Sequence, residues 1–227
     1  FKRYFSNYAV VMNTIIGPII STIFIVMFLF GQDSFGDLSA LVEMELVVLI
    51  LVGITIFMVG VSPTTTSSIS LEGKTFWIIK SAPVKTSTVF LAKIAMSLFL
   101  SIPFFIINVI IAAFVLPLQV GHIILLIVIP ILYTTFSSLL GLFLNLCFPK
   151  LDWDNPLKPV KQSMPVFLTL LIDWVLTVGL IIASIFLLAF GYVFVYMAIF
   201  GVIVIGIAVL GALTFTVGEK KYQRIPA

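Results

Sequence analysis

Charged residues fall in a few short blocks separated by long uncharged stretches, and this pattern leaves few folds open to the chain. No charge occurs in residues 4–32, 46–71 or 94–149, and the stretch 164–217 contains only Asp173. A helix needs about 20 mainly apolar residues to span a bilayer. The chain is 62% hydrophobic and 9% charged, whereas soluble domains are about one-quarter charged. The sequence therefore predicts an all-α, polytopic membrane protein.

Six transmembrane helices fit into these stretches. The uncharged run 94–149 is too long for one crossing, so we expect a hairpin that turns at Pro117–Gly121, and the last run breaks near Gly191. Proline within a membrane helix is tolerated when neighbours satisfy the freed carbonyl. The predicted helices form a single transmembrane domain, residues 1–227, and lie near 8–30, 46–61, 89–116, 122–146, 165–189 and 192–217.

The basic residues give these helices an orientation. All 12 Lys and Arg residues fall in four blocks, and cytoplasmic loops are enriched in Lys and Arg. The blocks are Lys2-Arg3, Lys74/Lys80/Lys85/Lys93, Lys150/Lys158/Lys161 and Lys220/Lys221/Arg224. Placing them inside makes both termini cytoplasmic and the acidic segment Asp33/Asp37/Glu43/Glu45 external. The inner loops 62–88 and 147–163 are also the long ones, which predicts that partner proteins act on the cytoplasmic side.

The first inner loop contains a predicted amphipathic helix at about 71–81. Ser70 is a plausible N-cap, Glu72 favours the first turn through the helix dipole, and Pro83 ends the element. We expect Thr86 or Ser87 to cap the next membrane helix. Leu71, Trp77 and Ile78 can share one broad apolar face, flanked by Phe76 and Ile79, with Lys74 and Lys80 toward water. Such a helix either lies on lipid headgroups or docks a cytosolic partner.

Gly73-Lys74-Thr75 in this loop invites a nucleotide-binding interpretation that the spacing does not support. A phosphate-binding loop needs a glycine five positions before its Gly-Lys-Thr and a preceding strand. Ser68 occupies that position, and a predicted membrane helix precedes it. We therefore expect no cofactor bound by this chain.

A resemblance to a known family begins in this loop, in the run S-L-E-G-K-T-F-W-I-I-K-S-A-P-V of Ser70–Val84. The run is similar to the first inner loop of bacterial ABC-2-type permeases of an ABC exporter group. Similar segments are F-K-R-Y-F-S…N-T-I-I-G-P at Phe1–Pro18, F-P-K-L-D-W-D-N…V-K-Q-S at Phe148–Ser163 and G-E-K-K-Y-Q-R-I at Gly218–Ile225. Members of that group are often about twice as long, so the chain resembles a C-terminal six-helix half. Its start at Phe1, not Met, indicates a processed chain or a piece of a longer protein.

The resemblance implies a permease in a bacterial plasma membrane that pairs with a separate ATPase subunit, which would bind the ATP. It also implies a second six-helix half or a homodimer partner. In ABC permeases a short inner-loop coupling helix sits in a groove of the ATPase. Carried over, Glu72–Ser81 is that helix, with coupling positions at Glu72, Lys74, Phe76, Trp77, Ile78 and Lys80.

Other residues offer weaker functional signals. Asp173 lies within the fifth predicted helix, and intramembrane acids often mark function, although the residue can equally serve packing. The polar residues Asn13, Asn108 and Asn145 indicate interhelical hydrogen bonds more than ligands, and Ser97/Ser101 and Ser137/Gly141 indicate close helix packing. Asp152 and Trp153 lie in a second candidate contact loop that can also be simply solvated. His122 lacks metal-binding partners, and the single Cys147 cannot form an intrachain disulfide.

Three functional classes remain open from the sequence. The first is the membrane-embedded half of an ABC exporter, and the second is a secondary transporter or channel that uses Asp173 without an ATPase. The third is a membrane scaffold or intramembrane enzyme, for which no cluster of His, Glu or Asp is present at one depth. Because the basic residues are scattered over four loops, nucleic-acid binding is not expected.

Overall fold

The structure, a computed structural model, describes residues 8–31, 43–61, 64–155 and 157–225. Over these ranges the chain forms helices and contains no β-strand. The all-α prediction is therefore confirmed for the described part of the chain. Two notable predictions lie outside it, namely the Lys2-Arg3 block and most of the first outer loop, residues 32–42.

The described ranges contain six long α-helices and three short ones. The long helices are α1 (Tyr8–Phe30), α2 (Met44–Val61), α4 (Thr86–Val115), α5 (Val120–Cys147), α7 (Met164–Leu187) and α8 (Tyr192–Leu213). The short helices are α3 (Phe76–Ser81), α6 (Leu157–Lys161) and α9 (Glu219–Arg224). Helices α2, α4, α5, α7 and α8 are long and apolar enough to cross a membrane, and α1 adds the apolar stretch Thr14–Phe30. These helices fit a multi-pass membrane protein.

The end of the last long helix differs from its predicted course. Helix α8 ends at Leu213, and a π-helical turn, Thr214–Gly218, leads into α9. The turn brings Gly218 against α5, since a Cβ on Gly218 would lie 3.0 Å from Cδ1 of Leu146. Because π turns often occur at functional positions in helices, the segment after α8 is part of the candidate site below.

Helix α5 is the central element of the bundle. It packs against α2, α4, α7, α8 and the 3₁₀ turn Thr64–Ser67. In its most apolar stretch 56% of residues are buried, compared with 22% and 17% for the stretches containing α7 and α8. The apolar sides of α7 and α8 are therefore largely uncovered, as expected of surfaces that meet lipid or another membrane protein.

Close packing of the segment after α2 onto α5 depends on a small residue. A Cβ on Gly141 would lie 2.8 Å from Oγ1 of Thr65, and that hydroxyl donates to the carbonyl of Ser138 at 2.7 Å. The Ser137/Gly141 pair, predicted from the sequence as a packing face, thus lies where residues 64–67 cross α5. This crossing fixes the start of the first long loop to the bundle.

The loops that carry most of the basic residues gather at one end of the bundle, which we call the loop end and define as residues 64–85, 148–155, 157–163 and 214–225. Direct hydrogen bonds join these segments, as from Trp153 to Ser70 and from Lys80 to Ile225. A separate apolar core lies there, comprising Ile69, Phe76, Phe90, Ile94, Leu139, Leu142, Leu146, Tyr222 and Ile225. At the other end the Tyr196 hydroxyl donates to the carbonyl of Glu45.

Candidate functional site

The predicted coupling helix at 71–81 is two elements rather than one. A 3₁₀ segment, Ser70–Thr75, precedes α3, and Gly73 breaks the helical path with φ 49° and ψ −135°. The prediction of a single helix was therefore wrong. Ser70 is also not an N-cap, since Ile69 precedes the 3₁₀ segment and no side chain caps it. Neither Thr86 nor Ser87 caps α4, because Lys85 holds the N-cap position.

Asn145 of α5 holds this segment to the bundle. Its Oδ1 accepts hydrogen bonds from the backbone N–H groups of Ile69 (2.8 Å) and Ser70 (3.1 Å). Its Nδ2 donates to Oγ of Ser70 at 2.7 Å. All three residues are fully buried, so water does not substitute for these bonds. Asn145, predicted to bond another helix, instead fixes a loop.

Ser70 also connects the first long loop to the second. Its Oγ accepts a hydrogen bond from the backbone N–H of Lys150 at 2.9 Å. Its carbonyl accepts one from Nε1 of Trp153 at 2.7 Å. Trp153 is therefore a structural clamp between the loops, whereas Asp152 beside it is exposed. Of the two predicted contact residues, Trp153 thus packs between the loops, whereas the Asp152 carboxylate faces outward.

The Trp153 ring covers Gly73 of the Gly-Lys-Thr sequence. A Cβ on Gly73 would lie 2.9 Å from Cζ2 of that ring. A phosphate-binding loop presents open backbone N–H groups to its ligand after a strand, whereas this glycine is capped by an indole within a 3₁₀ segment. The local geometry differs from a phosphate cradle.

We expect Gly73→Ala to destabilise the loop end by about 1–3 kcal/mol, because a side chain at this φ is strained and would displace the indole. Trp153 fluorescence measures the effect in a Trp77→Phe, Trp174→Phe background, where the variant should shift emission toward that of a solvated indole. Gly121→Ala is the control, since nothing lies within 4 Å of its Cβ. Equal spectra for both alanine variants would contradict the packing of Trp153 on Gly73.

Phe76 and Lys80 attach α3 to the end of the chain. Phe76 is 2% exposed, and its ring meets that of Tyr222 edge-on at 5.2 Å. Tyr222 also meets Phe90 edge-on at 5.6 Å. Nζ of Lys80 donates to the carbonyls of Gln223 (3.0 Å) and Ile225 (2.5 Å). Phe76, expected to flank the apolar face, is instead buried. Lys80, expected to point toward water, bonds to backbone carbonyls, because the C-terminal segment folds back over this side of α3.

Trp77 and Ile78 remain outside these contacts. Trp77 is 55% exposed and Ile78 49% exposed, and Lys74 is exposed beside them, whereas Leu71 is partly buried. We call the exposed side chains of Trp77 and Ile78 the Trp77–Ile78 surface. It is an apolar surface on a segment that is hydrogen-bonded to α5 through the backbone of Ile69 and Ser70 and to the C-terminal segment through the Lys80 side chain.

Glu72 is used within the chain. Its Oε1 lies 3.2 Å from Nζ of Lys93, and both side chains are 14% exposed. The same ammonium donates to the carbonyl of Ser68 at 2.6 Å. Burial, with the negative charge of Glu72 as a second cause, raises the pKa of the nearby Tyr222 phenol. Of the predicted coupling positions, Glu72, Phe76 and Lys80 thus build the segment, while Lys74, Trp77 and Ile78 face outward.

Asp173 lies in a second polar site, between α2, α5 and α7. The residue is fully buried, and its Oδ2 accepts a hydrogen bond from Oγ of Ser137 at 2.7 Å. The Tyr133 hydroxyl lies 3.4 Å from Oδ1, 3.2 Å from the Asp173 carbonyl and 2.8 Å from Oγ1 of Thr177. Helix α2 approaches at Gly60, where a Cβ would lie 3.2 Å from that of Asp173.

The other polar residues predicted within spans have different environments. Nδ2 of Asn108 donates to Oγ of Ser21 on α1 at 3.3 Å, which is the expected interhelical bond. The side chain of Asn13 lies outside the described part of the structure. At the opposite end His122 accepts a hydrogen bond from the backbone N–H of Gln119. Among the described residues no group of three His, Cys, Asp or Glu side chains could hold a metal ion.

Sequence reasoning did not assign roles to Tyr133 and Tyr222, and it gave Ser70 and Ser137 other roles. An available signal was that Tyr133 and Ser137 lie four residues apart, which places them on one face of a helix. For Ser70 and Tyr222 no local signal exists, because their partners are distant in the chain.

Comparisons with protein-family models, curated proteins and solved structures find no match for this chain. The similarity to ABC-2-type permeases therefore remains a prediction from the residues quoted above.

Proposed function

We propose that this chain is a membrane-spanning permease, or half of one, of an ABC exporter driven by a separate ATPase subunit. The observation that carries the proposal is the Trp77–Ile78 surface, which is apolar, exposed and presented by a segment bonded into the bundle. Aromatic side chains in such positions dominate protein interfaces. The resemblance of Ser70–Val84 to the inner loop of ABC-2-type permeases supports the same role.

The proposed orientation places the loop end in the cytoplasm of a bacterial cell, with both termini inside and multiple passes through the plasma membrane. All the described basic residues belong to the loop end or to the first turns of α4, and cytoplasmic segments collect Lys and Arg. The uncovered sides of α7 and α8 would meet lipid, a second six-helix half or another copy of the chain.

Two connections could carry movement of α3 into the helices. One runs through Ser70 to Asn145 and so to α5. The other runs through Phe76 and Lys80 to the segment Tyr222–Ile225, which continues α8. A partner that binds the Trp77–Ile78 surface and changes shape on ATP hydrolysis would therefore act on two membrane helices together.

A helix held only by lipid headgroups fits this segment less well. Such helices rely on a continuous apolar face and on lipid contacts. Here α3 has six residues. Its two aromatic rings do not share one face, since Phe76 is buried in the protein core and Trp77 is exposed to solvent. In addition, Lys80 is bonded to backbone carbonyls. These contacts favour docking of a protein partner.

Photo-crosslinking in native membranes tests the proposal. A photoreactive phenylalanine analogue at position 77 should crosslink to one protein that binds and hydrolyses ATP. The matched control is the same analogue at Phe114, which is 87% exposed and near the opposite end of the bundle, and it should not capture that protein. Crosslinking of position 77 to lipid alone, or to a partner without ATPase activity, would refute the proposal.

A further inference from the structure

The hydroxyl groups around Asp173 can satisfy its carboxyl group in either protonation state. In the ionised form Oδ2 accepts from Ser137 and Oδ1 faces the Tyr133 hydroxyl. A carboxyl that gains a proton on Oδ2 becomes a donor to Oγ of Ser137, while Oδ1 still faces the Tyr133 hydroxyl. The hydroxyl hydrogen of Ser137 then points away from the carboxyl, and the contacts of Tyr133 with Thr177 and with Asp173 need not change. No hydrogen bond is lost by the exchange.

No ion pair in the described part of the chain fixes the charge of Asp173. Of the titratable side chains on the elements that pack against α7, Tyr133 is the one in contact with the carboxyl. The others on those elements lie toward one or the other end of the bundle: Glu45 on α2, His122 and Cys147 on α5, Lys158 and Lys161 on α6, and Tyr192 and Tyr196 on α8. Among the described residues, no fixed positive charge therefore holds the Asp173 carboxyl in its ionised form.

Ser137 connects this carboxyl to a small hollow on the far side of α5. Hydroxyl-bearing residues line the hollow, among them Thr64, Ser97, Ser101, Ser137 and Ser138. The centre of a water molecule can occupy about 10 Å³ of this hollow, which is about the least volume of this kind that holds one water between polar partners. Thr64 lies at the loop end, just beyond the last residue of α2. The hollow thus borders both the first residue of the loop end, Thr64, and the side chain that donates to Asp173.

We infer that Asp173 is an intramembrane proton-binding site that exchanges its proton with the loop end through Ser137 and this hollow. In the exchange a hydronium ion in the hollow gives a proton to Oγ of Ser137 while the serine hydrogen passes to Oδ2, which leaves a neutral water and a neutral carboxyl group. The reverse transfer returns the proton to the water. The inference concerns the carboxyl alone and holds whether or not an ATPase binds the chain.

A proton fits this site better than a metal cation does. The oxygen atoms around the carboxyl lie 2.7–3.4 Å from one another and are joined by hydrogen bonds. These are the separations of donor and acceptor atoms in contact. A sodium ion would have to enter between them and break the bonds, whereas a proton uses the existing geometry.

Infrared difference spectroscopy of the purified chain in lipid nanodiscs tests this inference directly. As the pH is varied from about 4 to about 10, across the range where carboxyl groups in proteins titrate, one buried carboxyl C=O band should appear and disappear reversibly. The band should be absent in Asp173→Asn and present in Asp152→Asn, which removes an exposed carboxylate. Exchanging Na⁺ for K⁺ should leave it unchanged.

Ser137→Ala gives a second, independent reading that retains the acid. Loss of the donor to Oδ2 should shift the frequency of the band and slow its response to a pH jump. If Asp173→Asn does not fold, this shift assigns the band. The inference is overturned by a carboxyl band that does not change with pH, by one that Ser137→Ala leaves unmoved, or by one that responds to Na⁺ instead of pH.

Discussion

Replacing Asn145 with leucine is expected to lower the free energy of unfolding by about 2–5 kcal/mol and to release residues 69–75 from α5. Leucine has nearly the same volume but no amide, so the N–H groups of Ile69 and Ser70 lose their acceptor. Each buried donor left without a partner costs about 1–3 kcal/mol. Both residues are fully buried, which prevents water from compensating.

Thermal unfolding in detergent and hydrogen exchange of the Ile69 and Ser70 amides measure this effect. Asn108→Leu is the matched control, because that buried asparagine makes one 3.3 Å side-chain bond and its Oδ1 has no partner among the described residues. Its stability should change by less than about 1 kcal/mol. Similar losses in the two variants would show that Asn145 is an ordinary buried amide and not the anchor of the loop.

The helices and the grouping of the basic loops could be predicted because their signals are local. An uncharged run of about 20 residues has few alternatives to a membrane helix. The helix predicted near 46–61, for example, is observed at Met44–Val61. The break between α7 and α8 falls at Gly191, whose φ of 106° suits glycine, and the turn between α4 and α5 contains Pro117. Pro18, Pro103 and Pro130, in contrast, lie inside helices.

The course of the first long loop could not be predicted, because distant residues decide it. A periodicity argument treats 71–81 as an isolated helix and places Phe76 and Lys80 by their spacing alone. In the structure Lys80 bonds to carbonyls 143 and 145 residues away. Ser70 takes partners from 75 to 83 residues further along the chain. Tertiary contacts of this kind override local helix preference.

Asp173 is a residue whose importance could be predicted from the sequence but whose partners could not. Its importance was visible in the sequence, because a lone acid in an apolar run is costly unless it has a use or a partner. Its partners were not visible, since Tyr133 and Ser137 are 40 and 36 residues away on another helix. Serine and tyrosine in an apolar helix do not indicate by themselves which neighbouring helix they face.

Changing both Trp77 and Ile78 to aspartate is expected to abolish the coupling of ATP hydrolysis to this chain without unfolding it. Two charges in the centre of an apolar contact should weaken binding by at least about 3 kcal/mol, on the order of a hundredfold in Kd. Both side chains are about half exposed, so the fold itself should lose little. Binding of the crosslinked ATPase to the purified chain and its stimulated ATPase rate are the measurements.

The control for this double variant is Gln162→Asp, which adds negative charge at an exposed position of the same end outside the Trp77–Ile78 surface. It should bind the ATPase as the parent chain does. Thermal unfolding separates loss of docking from loss of fold, because the double variant should melt within a few degrees of the parent while the Asn145→Leu chain should not. Unchanged ATPase binding by a folded double variant would exclude Trp77 and Ile78 as the docking surface and would leave the exposed carboxylates Asp152 and Asp154 as the next region of contact to test.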